Sequence, residues 1–218
     1  MIGEPLTIDV VSDVMCPWCY IGKRRLEQAL ELAPHLNVEI NWRPFQLDGT
    51  IPDEGMPRED YLTKKFGTDE DAKHIYAQIE EAGAADDLSF AFDLIEKSPN
   101  TLNAHRLIRW SKTTGVQSAL VERLFQLYFM EGADIGDIKV LTDAAVEIGM
   151  ESEIVERLFS GESDLQEVKD EIAHAQHIGV KGVPCFIIDQ KYAIMGAQQP
   201  ETLVQALQQA LADREAEE

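Results

Sequence analysis

Leu6-Thr7-Ile8-Asp9-Val10-Val11, followed shortly by Cys16-Pro17-Trp18-Cys19, is the stretch on which the reading of this chain turns. The first six residues form an apolar, β-branched run of the kind that makes a buried strand. Beyond the cysteines, Ile21, Leu26, Ala29, Leu30 and Ala33 recur at helical spacing until Pro34 ends the pattern. The cysteine pair therefore falls at the head of a helix that follows a strand. A thiol there feels the positive end of the helix dipole and free backbone N–H groups, both of which favour the thiolate. Pro17 fits the first helical position, where a missing N–H costs nothing. Cys16 is then expected as an exposed nucleophile, with Cys19 one turn on as the inward-facing resolving thiol. A C-x-x-C in this setting reads as a redox dithiol.

Two plainer readings compete with it. Structural zinc needs four ligands, and the remaining candidates are Cys185 and the pair His174 and His177. A structural disulfide between residues this close shuts almost no loop and stabilises little. Redox chemistry is the stronger reading, and no metal is expected.

Composition narrows the partners. Nineteen basic residues against forty acidic ones give a net charge of −21, which repels phosphate backbones and disfavours nucleic acid. No apolar run reaches the ~20 residues of a membrane helix. Met1-Ile2-Gly3-Glu4-Pro5 leads almost directly into the first strand without a basic or long apolar leader, so a cytoplasmic location is expected. Three cysteines there suit reactive thiols better than a disulfide framework.

Working outward, Val38, Ile40 and Trp42 alternate with polar residues as a half-buried strand, and Gly49, Pro52, Gly55 and Pro57 mark a loop. From about residue 57 to 160 the pattern is helical. Thr68 and Asp71 frame one helix start, with Gly83 near its end. Further helices contain Leu107 to Trp110, Leu120 to Tyr128, and Leu141 to Ile148. Leu88-Ser89-Phe90-Ala91-Phe92 reads as a short extended interruption. Ser163 and Gln166 form a capping box for a helix reaching Ile178. Cys185 to Ile188 and Tyr192 to Met195 suggest a hairpin, Pro200 opens a final helix, and the acidic tail from Asp213 to Glu218 is expected to fray. The expected fold class is α/β, with residues 1–48 and 162–218 as one domain and 49–161 as an all-helical insertion.

Cys16-Pro17-Trp18-Cys19-Tyr20-Ile21-Gly22-Lys23-Arg24, together with Gly182-Val183-Pro184, resembles the DsbA-like thioredoxin-fold oxidoreductases, most closely their cytosolic FrnE-like branch. The resemblance spans nearly the whole chain and implies a thioredoxin-like fold with a helical insertion. It also implies a cis-proline at Pro184 lying against the dithiol, which leaves the Val183 backbone free to pair with an extended substrate. Ser98 to Arg106 resembles an insertion segment that faces the redox centre, which makes Asn100, Thr101 and His105 candidate substrate contacts. From the residues themselves, Asn100 or Thr101 is equally an N-cap and His105 a satisfied buried histidine. Trp18 and Tyr20 are expected as an apolar substrate rim, with core packing as the competitor, and Pro17 borders the same surface. Cys185 stands where the family often has an aromatic; burial is favoured over a bridge to Cys16. Asp13 bears on the thiolate of Cys16 in a direction that sequence leaves open.

The implied activity is disulfide reduction or isomerisation without a bound cofactor, the Cys16–Cys19 pair itself cycling and glutathione serving as a reductant. The substrate is a disulfide-containing protein or a small thiol, and a homodimer is admitted. Two other activities compete: a glutathione-dependent isomerase resembling 2-hydroxychromene-2-carboxylate isomerase, which typically has Ser at the first thiol and lacks the second, and a non-enzymatic holdase.

Overall fold

A computed structural model describes residues 4–217. Met1–Gly3, part of the segment in which no leader is expected, and Glu218, the end of the acidic tail, lie outside the described residues. Strand β1 (Leu6–Ser12) leads into helix α1 (Pro17–Leu32) and strand β2 (Val38–Pro44). The middle of the chain holds β3 (Met56–Pro57), α2 (Arg58–Phe66), α3 (Asp69–Ala85), a 3-10 turn (Phe92–Leu94), β4 (Lys97–Ser98), α4 (Leu102–Thr113), α5 (Gln117–Phe129), α6 (Ile138–Glu147) and α7 (Ser152–Phe159). Helix α8 (Leu165–His177), the hairpin β5 (Cys185–Ile188) and β6 (Tyr192–Met195), and α9 (Pro200–Glu217) complete it.

The main sheet has the order β2-β1-β5-β6, with β1 parallel to β2 and antiparallel to β5. Alternation along β1 sends Leu6, Ile8 and Val10 to one face, in a core shared with Leu26 and Ala29 of α1 and Leu203 and Leu207 of α9. Val11 points the other way and joins Phe45, Ala175 of α8, Val180 and Cys185 in a second cluster. Both faces are fully covered only toward the end of the strand, where the adjacent Val10 and Val11 are both buried; Thr7 and Asp9, on the Val11 face nearer its start, are half-buried.

The helical segment is sewn to the sheet at the β2 edge. Gln117 Oε1 accepts the Trp42 N–H at 3.0 Å and its Nε2 donates to the Trp42 carbonyl at 3.4 Å. One side-chain amide thus stands in for a neighbouring strand at an edge that would otherwise be open. Trp42 Nε1 also donates to Ser118 Oγ at 3.0 Å.

Several sequence expectations need correction. The Leu88–Phe92 stretch is no strand: its apolar alternation delivers rings into an aromatic cluster, with Phe90 and Phe92 stacked at 4.9 Å. The short ladder lies later, pairing Lys97–Ser98 with Met56–Pro57. The Ser163–Gln166 capping box does not form. Asp164 is the N-cap of α8, in left-handed backbone, and its carboxylate accepts Arg109 Nε at 3.0 Å and Trp110 Nε1 at 2.8 Å. The tail does not fray through Glu217: Arg214 reaches Asp189 and the Glu4 carbonyl, holding the end of α9 against the start of β1. Thr68 does cap α3, accepting the Asp71 N–H at 3.1 Å.

Candidate active site

Cys16 is the N-cap of α1, in extended backbone (φ −94°, ψ 114°), and Pro17 takes the first helical position. The preceding loop is shaped by Asp13, whose carbonyl accepts the Cys16 N–H at 2.9 Å. The Asp13 carboxylate is fully buried and turned aside, accepting the Leu47 N–H at 2.7 Å and the Met15 N–H at 3.4 Å. The Cys16 thiol donates to the Val183 carbonyl at 3.7 Å, so the dithiol and the Gly182-Val183-Pro184 loop meet directly. The Val183–Pro184 peptide is cis. Gly22 of α1 lies hard against this proline: a Cβ there would come within 2.7 Å of Pro184 Cγ and 3.2 Å of Phe186 Cζ. The helix approaches the loop so closely only because residue 22 carries no side chain.

Exposure corrects the expected division between the thiols. Cys16 is only 3% exposed and Cys19 1% exposed, so neither stands open on the surface. Cys16 instead lines a cavity of about 260 Å³, bordered by Pro17, Trp18, Arg58, Tyr61, Lys65, Tyr76 and Val183. Burial pushes the Cys19 thiol well above its usual range, and the adjacent Cys16 adds to the effect, while the Ser12 hydroxyl and the Asp13 backbone oppose it.

The other predicted residues divide. Trp18, 37% exposed, borders the cavity, as do Pro17 and Val183, and Pro184 is buried behind them against Gly22. Tyr20 is not a rim residue: it is fully buried, stacked on Phe125 at 4.8 Å, with its hydroxyl donating to Glu122 at 2.9 Å. Asn100, Thr101 and His105 are not among the cavity walls. Asn100 Oδ1 accepts the Leu102 N–H at 3.0 Å and its Nδ2 donates to the Ile51 carbonyl at 2.8 Å, tying the β2–β3 loop to the start of α4. Thr101 is the buried N-cap of α4, without a side-chain capping bond. His105 Nε2 donates to the Phe45 carbonyl at 2.8 Å and lies 3.5 Å from Asp13 Oδ1, supporting the loop before Cys16 from behind. Cys185 sits wholly buried in the second core cluster, and burial raises its thiol pKa. Among the described residues, no three His, Cys, Asp or Glu side chains gather as metal ligands. No helix among them is long and apolar enough to cross a membrane.

Sequence reading missed Arg58, Tyr61, Lys65 and Tyr76. They belong to α2 and α3, whose apolar faces look like ordinary helix faces until the fold turns them toward Cys16. The signal that could have found α2 is Pro57 before Arg58-Glu59-Asp60, a helix start with acidic residues in its first turn.

A cysteine pair at a helix start, beside a cis-proline loop on a four-stranded mixed sheet, defines a thioredoxin-like protein built around a dithiol. Residues 7–208 match the DSBA-like thioredoxin domain, and the chain belongs to that family. It is similar to a "probable DsbA oxidoreductase" of Streptomyces coelicolor, with 31% identity, a TM-score of 0.86, and 95% of this chain and 90% of that one covered. The fold is shared with a 2-hydroxychromene-2-carboxylate isomerase, at 14% identity and a TM-score of 0.71, covering 97% of this chain and 98% of that one. It is shared too with the cytosolic disulfide reductase DsbM of Pseudomonas aeruginosa, solved with GSH, at 18% identity and a TM-score of 0.62, with the same coverage.

Proposed function

We propose that this chain is a cytoplasmic thiol–disulfide oxidoreductase of the FrnE-like branch, reducing or isomerising disulfides through Cys16 and Cys19. The observation that carries the reading is the Cys16 sulfur at the head of α1, on a cavity and against the Val183 carbonyl, with a buried thiol one turn behind it. The Cys16 thiolate attacks one sulfur of the substrate; the substrate S–S bond breaks, and the departing thiolate takes up a proton. Cys19 loses its proton and attacks the Cys16 sulfur, closing the intramolecular disulfide and releasing the second substrate thiol. Two electrons pass from the dithiol to the substrate. No bound cofactor is needed, and two equivalents of a monothiol such as glutathione restore the dithiol, ending as its disulfide. In isomerisation a thiol of the substrate itself resolves the mixed disulfide, and the pair stays reduced.

The compartment is part of the same proposal. A reducing cytosol keeps such a pair as a dithiol, and the likeness to a cytosolic reductase supports it. Insulin reduction, measured beside a glutathione-binding titration, tests the reading. Turbidity from reduced insulin is expected with the wild type and none with Cys16→Ser. Tight glutathione binding without insulin reduction would favour a glutathione-dependent isomerase instead. Full activity in Cys16→Ser would end the dithiol mechanism.

A further inference from the structure

The cavity at Cys16 reverses the charge of the molecule around it. The chain carries 19 basic and 40 acidic residues, yet the charged side chains lining this cavity are Arg58 and Lys65, both cationic, with no carboxylate among the lining residues. The Arg58 guanidinium lies over the rings of Tyr76 and Phe92, 4.8 and 5.6 Å from their centroids. Lys65 Nζ donates to Tyr61 Oη at 2.6 Å. Among the described residues neither cation meets a carboxylate at ion-pair distance. Asp48 feels the charge of Lys65, but it bonds Thr50 and pairs with Lys64 at 3.8 Å. Asp13 gives its carboxylate to the Leu47 and Met15 amides.

The neutral groups point the same way. Tyr61 accepts its bond from Lys65, which leaves its own O–H as a donor. Burial, with smaller contributions from nearby charges, raises the pKa of Tyr61, so that proton is held. Phe66, Ile75 and Ile79 complete an apolar wall. Arg58 is half-buried, so an anion beside it is screened less than one at a fully open surface. At about 260 Å³ the space suits a small molecule rather than a folded segment.

We propose that the substrate class of this site is a small anionic disulfide, its carboxylate held by Arg58 and Lys65 while its sulfur meets Cys16. This rests on the oxidoreductase reading above and uses the same balanced step, the dithiol being oxidised as the substrate yields two thiols.

Reduced full-length protein is mixed with dithiodipropionate (anionic), hydroxyethyl disulfide (neutral) or cystamine (cationic), and oxidation is followed by stopped-flow tryptophan fluorescence. Each second-order rate is divided by that of dithiothreitol with the same disulfide, which removes differences in leaving-group chemistry. The expected order is anionic, neutral, cationic, with an anionic-to-neutral ratio of about tenfold at low salt that shrinks as salt is added. Arg58→Gln and Lys65→Gln should each lower that ratio about threefold or more, and Arg58→Lys should keep most of it. Lys65 is exposed, so its variant tests the proposal even if Arg58→Gln fails to fold. A preference for cystamine, as net charge alone would give, or an unchanged ratio in Lys65→Gln, overturns the proposal. Reaction of all three disulfides without any anion preference defeats this inference alone; no reaction with any of the three defeats the oxidoreductase reading.

Discussion

Cys19 is shut away beneath Cys16, and burial is the largest influence on its ionisation. Its thiol therefore stays protonated at neutral pH, so in a Cys16→Ser variant iodoacetamide should label it slowly, with a rate that climbs only above the ordinary thiol range. Cys19→Ser should leave attack by Cys16 intact and accumulate a mixed disulfide visible by mass spectrometry. Equal labelling rates at Cys16 and Cys19 near neutral pH would contradict this division. Gly22 tests the other side of the site. Gly22→Ala puts a methyl 2.7 Å from Pro184 Cγ, so the helix or the loop must move. The expected cost is about 2 kcal/mol by urea denaturation, with slower disulfide reduction because the Val183 carbonyl moves from Cys16. Unchanged stability and rate would mean that the loop yields freely.

At the level of elements, α1 and α5 are clamped by Glu122. Its carboxylate accepts Tyr20 Oη at 2.9 Å, Lys23 Nζ at 2.6 Å and Arg24 Nη2 at 3.2 Å, and the Lys23 side chain is only 4% exposed. Burial works against the charged carboxylate, but the bond and charge of Lys23, with Tyr20 and Arg24, outweigh it and hold the Glu122 carboxyl below its ordinary 4.5. A carboxyl whose folded pKa is lowered stabilises the fold fully above the unfolded value, and that contribution is lost as pH falls through the folded one. Glu122→Gln should therefore cost about 2 kcal/mol at neutral pH, leaving Lys23 with a weakened partner set. The gap from wild type should narrow below about pH 4. Thermal melts of both proteins across that range check it; a gap that is constant with pH would assign the loss to packing.

For the whole molecule the governing quantity is a net charge of −21. Self-repulsion of this size opposes the compact state and is screened by salt. Raising NaCl from about 20 to 300 mM, which shortens the screening length to below ~10 Å, should raise the melting temperature by a few degrees. A falling melting temperature would mean that ion pairs such as Arg25–Asp86, at 2.8 Å, outweigh the repulsion.

What the sequence by itself determines is local. The apolar run of β1, the 3.6-residue period of α1 and the proline at its first position place two thiols at a helix start without any knowledge of distant residues. The hairpin at Cys185–Met195 and the Thr68 cap are legible for the same reason, since each signal lies within a few residues of its effect. Tertiary structure alone decides what covers each apolar face. Tyr20 was readable as apolar, but only contact with α5, a hundred residues away, makes it core rather than rim. Ser163 and Gln166 have the right spacing for a cap, yet Asp164 prevails because Arg109 and Trp110 arrive to bond it. The seclusion of Cys16 and the cations facing it likewise depend on α2 and α3 folding back over the dithiol. Periodicity records which side of a helix is apolar; which partner meets that side is settled by long-range packing, to which local spacing is blind.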